Sequence, residues 1–254
     1  MKQAIILLLI SLALQNHLMA QGSSCNSTLA GVLKPKFPQE YYIDQGVKYF
    51  LTMQSDVPVR VQPAYAKRVI RWEWEPWLLL TGYKRSTLVM SDAMLKLTPT
   101  KYDVLDCRYF AEQPFCRCHV VFNYNGLTCP IYEEFTFNNQ GEITFIEAWS
   151  DFPSLLPMGP GDDGIWDEKD YWAQNGAHRM ATKVPGLGSD NGRIEPHSDC
   201  MREAMANDSE IADMISRMRN PVAKWMHQLL THFNQVKGGC GAPVGDLYPY
   251  YVPK

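Results

Sequence analysis

The sequence has no apolar run long enough to cross a bilayer, which needs about 20 consecutive apolar residues. Its most apolar stretch, residues 4–14, is shorter than that; it follows one positive charge at Lys2 and precedes the small residue Ala20. This three-part pattern predicts a secretory signal over residues 1–20, cleaved after Ala20. We therefore expect a secreted or periplasmic (extracytoplasmic) protein with no membrane span.

The sequence also lacks a run or stripe of basic residues. Lys and Arg together number 24 and Asp and Glu 27, which gives a net charge of −3. Nucleic-acid binding needs clustered cations to neutralise phosphates, so no nucleic-acid partner is expected. A hydrophobic content of 46% excludes general disorder and favours a globular protein.

Motifs of several familiar catalytic and metal sites are missing. The sequence contains no HExxH, no HxH and no GxSxG, so zinc-peptidase and serine-hydrolase chemistry have no motif to support them. The acidic residues around 162–170 miss the spacing of a calcium-binding EF-hand loop. We expect no metal site and no cofactor.

The seven cysteines are expected to form structural disulfides, as is usual in an exported protein. Their positions are Cys25, Cys107, Cys116, Cys118, Cys129, Cys200 and Cys240. We predict at least two disulfides, with some of the four cysteines between 107 and 129 bridged, and at least one unpaired thiol because the number is odd. Cys116 and Cys118 are not expected to pair, since alternate residues of a strand lie about 6.5 Å apart. A redox enzyme is the rival use of these thiols, and two N-glycosylation sequons begin at Asn26 and Asn207.

The clearest strand signals lie between residues 101 and 150. Residues 102–110 and 118–124 are rich in β-branched and aromatic residues. Two further runs, 131–137 and 143–149, flank the short Asn/Gly turn at 138–141 and predict a hairpin. Helical spacing of apolar residues predicts helices over 209–218 and 221–236, and residues 41–56 could form another.

These signals divide the mature chain into three parts. Residues 21–59 form an N-terminal arm and residues 60–152 form the core. Residues 153–254 form a loop-rich and helical C-terminal extension packed on the core, because the Pro/Gly-rich stretch 153–200 carries large aromatic residues that need to be buried.

The predicted hairpin carries acidic side chains among aromatic ones. Alternation places side chains on common faces: Glu133, Phe135 and Phe137 on one strand, and Phe145, Glu147, Trp149 and Asp151 on the other. If the phenylalanines all face the interior, the three acids point into an apolar space, where a carboxyl group has a raised pKa and can act as a general acid or base. The alternative is that they lie at the sheet rim, solvated or paired with Arg108 or Arg117.

Further candidates come from neighbouring segments. His119, on a predicted strand, could transfer protons, although a lone strand histidine is more often structural. Trp72 and Trp74 lie in an aromatic-rich segment that either packs in the core or lines a pocket. The candidate catalytic residues are thus Glu133, Glu147, Asp151 and His119, and the candidate substrate-binding residues are Trp72, Trp74, Phe135 and Trp149.

Residues 131–151 resemble the closing hairpin of SnoaL-like proteins in the NTF2-like superfamily. In that hairpin a strand of the form E-x-F-x-F meets a short Asn/Asp-Gly turn and a second strand that ends near an acid; here the strand is Glu133–Phe137. The resemblance extends loosely over residues 60–152. It implies an α+β fold in which a curved antiparallel sheet, wrapped by helices, forms a cone with an apolar pocket, followed here by the C-terminal helical extension.

Members of this superfamily include cofactor-free isomerases, cyclases and dehydratases, and also non-catalytic binding domains. The resemblance implies an enzyme that acts by general acid–base chemistry on a small apolar or polyketide-like molecule, and the predicted signal makes it a secreted one. The alternative is a non-catalytic secreted protein that binds a small ligand; a homodimer is left open. Catalytic positions vary within the superfamily, so none is transferred by motif, and fold alone does not decide function.

Overall fold

The computed structural model of the chain describes residues 34–58, 60–73, 84–96, 101–124, 126–150, 180–185 and 197–219. The helices in these ranges are α1 (Gln39–Met53), α2 (Arg85–Leu95), α3 (Met180–Lys183), α4 (Asp199–Asn207) and α5 (Ser209–Arg219). The strands are β1 (Tyr65–Glu73), β2 (Lys101–Tyr109), β3 (Cys116–Tyr124), β4 (Leu127–Phe137) and β5 (Ile143–Ser150). The predicted helix over 209–218 is confirmed as α5. The predicted signal segment and the predicted helix over 221–236 lie outside the described residues.

The five strands form one sheet in the order β1-β5-β4-β3-β2. Strands β2 to β5 pair antiparallel with their neighbours, and the predicted hairpin is confirmed as β4 and β5. The expectation of a purely antiparallel sheet is wrong at one edge, because β1 runs parallel to β5. No short turn joins β1 to β5, so chain connectivity does not force them to run in opposite directions. The fold is therefore α+β, with a mixed sheet.

The turn of the hairpin is fixed by Asn138 and Gly141. The side-chain oxygen of Asn138 accepts hydrogen bonds from the backbone N–H groups of Gln140 (3.0 Å) and Glu142 (2.9 Å). Gly141 has a φ of +75°, which favours glycine, and a Cβ there would lie 2.7 Å from the Phe37 ring. The hairpin therefore needs glycine both for its backbone conformation and for its contact with the segment before α1.

Helix α1 covers one face of the sheet and forms the first core with it. Tyr42, Tyr49 and Phe50 are at most 1% exposed, and they follow the spacing that places residues on one side of a helix. They pack against sheet residues that include Phe135 and Phe137. Helix α1 thus contributes directly to this core, although it falls in the part of the chain predicted to be an arm.

The opposite face of the sheet forms a second core with α3, α4 and α5. It contains Ile70, Trp72 and Phe145 from the sheet, together with methionines and aliphatic residues of the three helices. The Asp208 side chain accepts a hydrogen bond from the Glu210 N–H group (2.9 Å) at the start of α5. In the part of the chain that the structure describes, no helix combines the length and apolar character needed to cross a membrane.

The cysteines follow the disulfide prediction. Cys107 and Cys118 are direct cross-strand partners on β2 and β3 and form a disulfide, with Cα atoms 4.0 Å apart. Cys129 and Cys200 are also disulfide-bonded, so the chain has at least two disulfides. Cys116 is a free, buried thiol and does not bond to Cys118. Burial raises its pKa well above the ordinary value, which argues against a reactive redox thiol.

Candidate active site

Glu133 lies on the face of the sheet that α1 covers. Its neighbour on the same face of β4 is Phe135, in the first core, and its cross-strand partner on β5 is Ala148, in the same core. Only 5% of Glu133 is exposed. The sequence left open whether this carboxyl group faces the interior or the sheet rim, and in the structure it faces the interior.

Four side chains from α1, β1 and α2 form a polar cluster that influences Glu133. The Nη1 atom of Arg71 donates a hydrogen bond to the Tyr49 hydroxyl (3.0 Å), and the same atom lies 3.6 Å from Oδ1 of Asp92. The Tyr65 hydroxyl donates to Asp92 Oδ2 (3.0 Å). All of these side chains are buried. We refer to Tyr49, Tyr65, Arg71, Asp92 and Glu133 as the polar cluster.

Several polar atoms of the cluster have no hydrogen-bond partner among the described residues. They are Nε and Nη2 of Arg71, Oδ1 of Asp92 and Oε2 of Glu133. Buried polar groups are nearly always hydrogen-bonded, because leaving one unsatisfied costs about 1–3 kcal/mol. The polar cluster therefore retains both donors and acceptors that an additional molecule could satisfy.

Burial dominates the protonation of the two acids. It raises the pKa of Glu133 to about 8; the positive charge of Arg71 opposes the shift, and the negative charge of Glu73 adds to it. Burial also raises the pKa of Asp92 to about 6, against Arg71 and the Tyr65 hydrogen bond, which lower it. Near neutral pH, Glu133 thus exchanges a proton with little free-energy cost, as a general acid or base must.

The basic and phenolic members of the cluster keep their protons. Burial lowers the pKa of Arg71, but the interactions of Arg71 with Tyr49, Asp92 and Glu133 outweigh that effect and hold its pKa above the ordinary value. Burial raises the pKa of both Tyr49 and Tyr65 well above 10.0. The cluster thus combines one permanent cation, two hydroxyl groups and two acids, and both acids have pKa values about one unit from neutral pH.

Glu147 lies on the other face of the sheet, which corrects the expectation that it shares a space with Glu133. Its cross-strand partner is Glu134, and its neighbour on the same face is Phe145, in the second core. The Glu147 carboxylate accepts hydrogen bonds from the backbone N–H groups of Met180 (2.6 Å) and Ala181 (3.0 Å). It therefore holds the first turn of α3, where backbone N–H groups lack partners within the helix.

His119 and Trp72 also lie away from the polar cluster. His119 stacks on Tyr132, with ring centroids 4.4 Å apart, and its strand position places it on the face opposite Glu133. Trp72 packs in the second core. Of the remaining candidates, Phe135 is in the first core, near Glu133. Trp74, Asp151 and the side chain of Trp149 lie outside the described residues.

In the alternative interpretation, the candidate acids pair with Arg108 or Arg117. In the part of the chain that the structure describes, such a pair forms with Glu134, the residue after Glu133, but not with Glu133 itself. Arg117 Nε lies 3.1 Å from Oε1 of Glu134, and its guanidinium carbon is 3.9 Å from the centre of the Phe110 ring. Arg108 pairs with Asp106 on the protein surface. Neither arginine forms an ion pair with Glu133 among the described residues.

Four members of the polar cluster were not predicted from the sequence: Tyr49, Tyr65, Arg71 and Asp92. The sequence did contain a hint of Arg71, because it lies between the apolar residues Ile70 and Trp72. This part of β1 is buried on both faces of the sheet, and a buried cation needs partners. Asp92 has no comparable signal, because an acid in a short amphipathic helix is usually solvated.

Comparison with known proteins adds little to this geometry. No family model matches the chain, and no curated protein matches it. One solved structure with some similarity is described as an NTF2-like protein of unknown function from Cytophaga hutchinsonii. It is 14% identical, with a TM-score of 0.31, over 47% of this chain and 95% of that chain. Similarity at this level assigns neither a family nor an activity.

Proposed function

We propose that this protein is a cofactor-free enzyme with an NTF2-like, SnoaL-like conical fold that uses the polar cluster for general acid–base chemistry. Its substrate is a small apolar or polyketide-like molecule with a carbonyl group, which it isomerises, cyclises or dehydrates. One observation carries the proposal: Glu133 and Arg71 are buried in the same cluster and each keeps polar atoms without a partner among the described residues. A base and an oxyanion-stabilising donor are the two groups that such chemistry requires.

The reaction begins with proton transfer from carbon. The Glu133 carboxylate takes a proton from the carbon next to the substrate carbonyl, and the electrons of the broken C–H bond move onto the carbonyl oxygen. The free N–H groups of Arg71 stabilise this enolate. Returning the proton from Glu133 to a different carbon completes an isomerisation, whereas passing that proton to a β-hydroxyl group, which then leaves as water, completes a dehydration.

Substrate entry requires the packing around the cluster to open. Arg71, Asp92 and Glu133 are only 2–5% exposed, so a molecule reaches them only when neighbouring side chains move. Closing again behind the substrate would exclude water and strengthen the interaction of Arg71 with the enolate.

A second candidate function is binding without turnover. It is favoured by Arg71, whose Nε and Nη2 atoms form one edge of a planar group that pairs well with a carboxylate. In that case the ligand is a small anion, and Glu133 in its protonated form donates a hydrogen bond to it.

The experiment is carbon–deuterium exchange. A panel of small apolar ketones is incubated in D₂O with the wild-type protein, Glu133→Gln and Asp106→Asn, and exchange is followed by NMR. Asp106→Asn is the matched control because it removes an exposed carboxylate that pairs with Arg108 outside the cluster. We expect exchange with the wild type and the control, and a loss of at least about 100-fold with Glu133→Gln, as expected when a general base is removed.

Two results would contradict the enzyme proposal. Equal exchange by wild type and Glu133→Gln would remove Glu133 from the chemistry. A ligand that native mass spectrometry finds bound to protein from its own host, and that wild-type protein returns unaltered, would favour the binding function instead.

The proposal includes export of the protein. Support comes from the signal-like pattern of residues 1–20 and from the Cys107–Cys118 disulfide, since disulfides persist mainly in oxidising compartments outside the cytosol.

A further inference from the structure

Three cysteine sulfurs meet beneath α1. Cys107 and Cys118 form the cross-strand disulfide, and the Sγ of Cys116 lies 3.9 Å from the Sγ of Cys118. All three sulfurs lie within 4.8 Å of one another. Cys116 and Cys118 are fully buried, whereas Cys107 is partly exposed. We refer to these residues as the sulfur cluster.

The helix above the sulfur cluster approaches it very closely. A Cβ atom on Gly46 would lie 2.6 Å from Cys116 Sγ, 2.9 Å from Cys118 Sγ and 3.4 Å from Cys107 Sγ. Only a residue without a side chain fits at this point of α1. The sulfurs are thus held between a helix and a sheet.

The spacing of the sulfurs suits a metal ion bound by three thiolates. Two sulfurs bound about 2.3 Å from one ion, with about 120° between them, lie about 4.0 Å apart. The 3.9 Å separation of Cys116 and Cys118 matches this value. Opening the Cys107–Cys118 disulfide lets those two sulfurs move apart to a similar separation.

The ligand set favours monovalent copper. Thiolate ligands select soft ions such as Cu(I). Within the described ranges, the group of donors close enough to share an ion contains no His, Asp or Glu, whereas zinc almost always takes four ligands. Three sulfurs, with no fourth donor among the residues that the structure describes, therefore suit Cu(I) better than Zn(II).

We infer that the reduced protein binds one Cu(I) ion through Cys107, Cys116 and Cys118, and that formation of the disulfide closes this site. A dithiol reductant opens the site: its two thiols become a disulfide, and their two electrons and two protons convert the Cys107–Cys118 bond into two thiols. Each cysteine that binds Cu(I) then releases its thiol proton to solvent. The reductant attacks the sulfur of Cys107, because Cys107 is the partly exposed member of the disulfide.

The test is a Cu(I) competition titration of the full chain. Protein reduced under anaerobic conditions receives Cu(I) in the presence of a coloured Cu(I) chelator, and absorbance reports how much copper the protein withdraws. The variants are Cys116→Ala and, as the matched control, Cys200→Ala, which removes one thiol on α4, a helix packed on the opposite face of the sheet. Oxidised wild-type protein serves as the closed form.

We expect reduced wild type and Cys200→Ala to withdraw one copper with the same affinity. Cys116→Ala should bind at least about tenfold more weakly, since even changes outside the ligand shell cost that much, and oxidised wild type should not compete. Equal affinity of Cys116→Ala and Cys200→Ala would overturn the inference.

Circular dichroism shows whether each variant is folded. If Cys116→Ala does not fold, Cys107→Ala replaces it, with the same expected weakening, because it alters the more exposed end of the cluster. A reduced wild type that loses its native spectrum and does not regain it when Cu(I) is added would also refute the site.

Discussion

Glu133 and Glu147 lie on opposite faces of the same hairpin, although both alternate with phenylalanines along their strands. The cross-strand partner of Glu147 is Glu134, not Glu133. Glu133 consequently joins Arg71 and the first core, whereas Glu147 holds the start of α3. The two carboxyl groups therefore have different physical roles, and the effects of substituting them should differ.

Replacing Glu133 should flatten the pH dependence of stability. The pKa of Glu133 rises from an ordinary value of 4.5 to about 8 on folding. The folded state therefore holds this proton more tightly, and the resulting stabilisation is complete below about pH 4.5 and lost as the pH rises to about 8. The difference in the free energy of unfolding between Glu133→Gln and wild type should therefore shift in favour of the variant by at least about 1 kcal/mol when the pH rises from about 5 to about 8.5. One pKa unit corresponds to about 1.4 kcal/mol.

Urea unfolding at the two pH values measures this difference. The control Asp106→Asn changes a residue on the surface, so its free energy of unfolding should show the same pH dependence as that of wild type. Some pH dependence should remain in Glu133→Gln, because the pKa of Asp92 is also raised, to about 6. Parallel curves for Glu133→Gln and wild type would show that Glu133 is not protonated in the folded state at neutral pH.

Replacing Glu147 should destabilise the packing of α3. Its carboxylate accepts hydrogen bonds from the N–H groups of Met180 and Ala181. Glu147→Ala leaves both donors unsatisfied and should cost about 1–3 kcal/mol, whereas Glu147→Gln keeps one acceptor and should cost less. Thermal unfolding followed by circular dichroism gives the order of stability of wild type and the two variants. Equal losses of stability for both variants would argue against this role of Glu147.

Replacing Gly46 should destabilise the contact between α1 and the sulfur cluster. Alanine normally stabilises a helix interior by about 1 kcal/mol relative to glycine. At Gly46, however, the added Cβ would lie 2.6 Å from Cys116 Sγ and 2.9 Å from Cys118 Sγ, and overpacking of this kind costs about 1–3 kcal/mol. We expect a net loss of stability in urea unfolding.

A double variant tests the cause of that loss. Removing the closer sulfur with Cys116→Ala should make Gly46→Ala less costly than it is in the wild-type background, so the two substitutions should not be additive. Strictly additive free energies would show that the contact with Cys116 is not what disfavours a side chain at position 46.

Export should remove the first 20 residues. Residues 1–20 carry the pattern of a secretory signal, so the mature protein should begin at Gln21. N-terminal sequencing of protein secreted by its own host checks this, and replacing Ala20 with a bulky residue should shift or block cleavage. An intact N-terminus on exported protein would contradict the prediction.

The local structure of this protein follows from its sequence alone. Alternation of apolar and polar residues fixed the strands, the turn at Asn138–Gly141 fixed the hairpin, and helical spacing fixed α5, because these signals depend on near neighbours in the chain. Placing Glu133 among phenylalanines on one face of its strand needed no more than the two-residue period of a strand.

Which helices and strands come into contact depends on long-range packing. Alternation shows which residues of one strand share a face, but not which face of the next strand lies beside it; that depends on register, and it separated Glu147 from Glu133. Arg71, Asp92 and Tyr49 reach the polar cluster from β1, α2 and α1. Their meeting depends on the parallel pairing of β1 with β5 and on the docking of two helices, and these long-range contacts have no local signal.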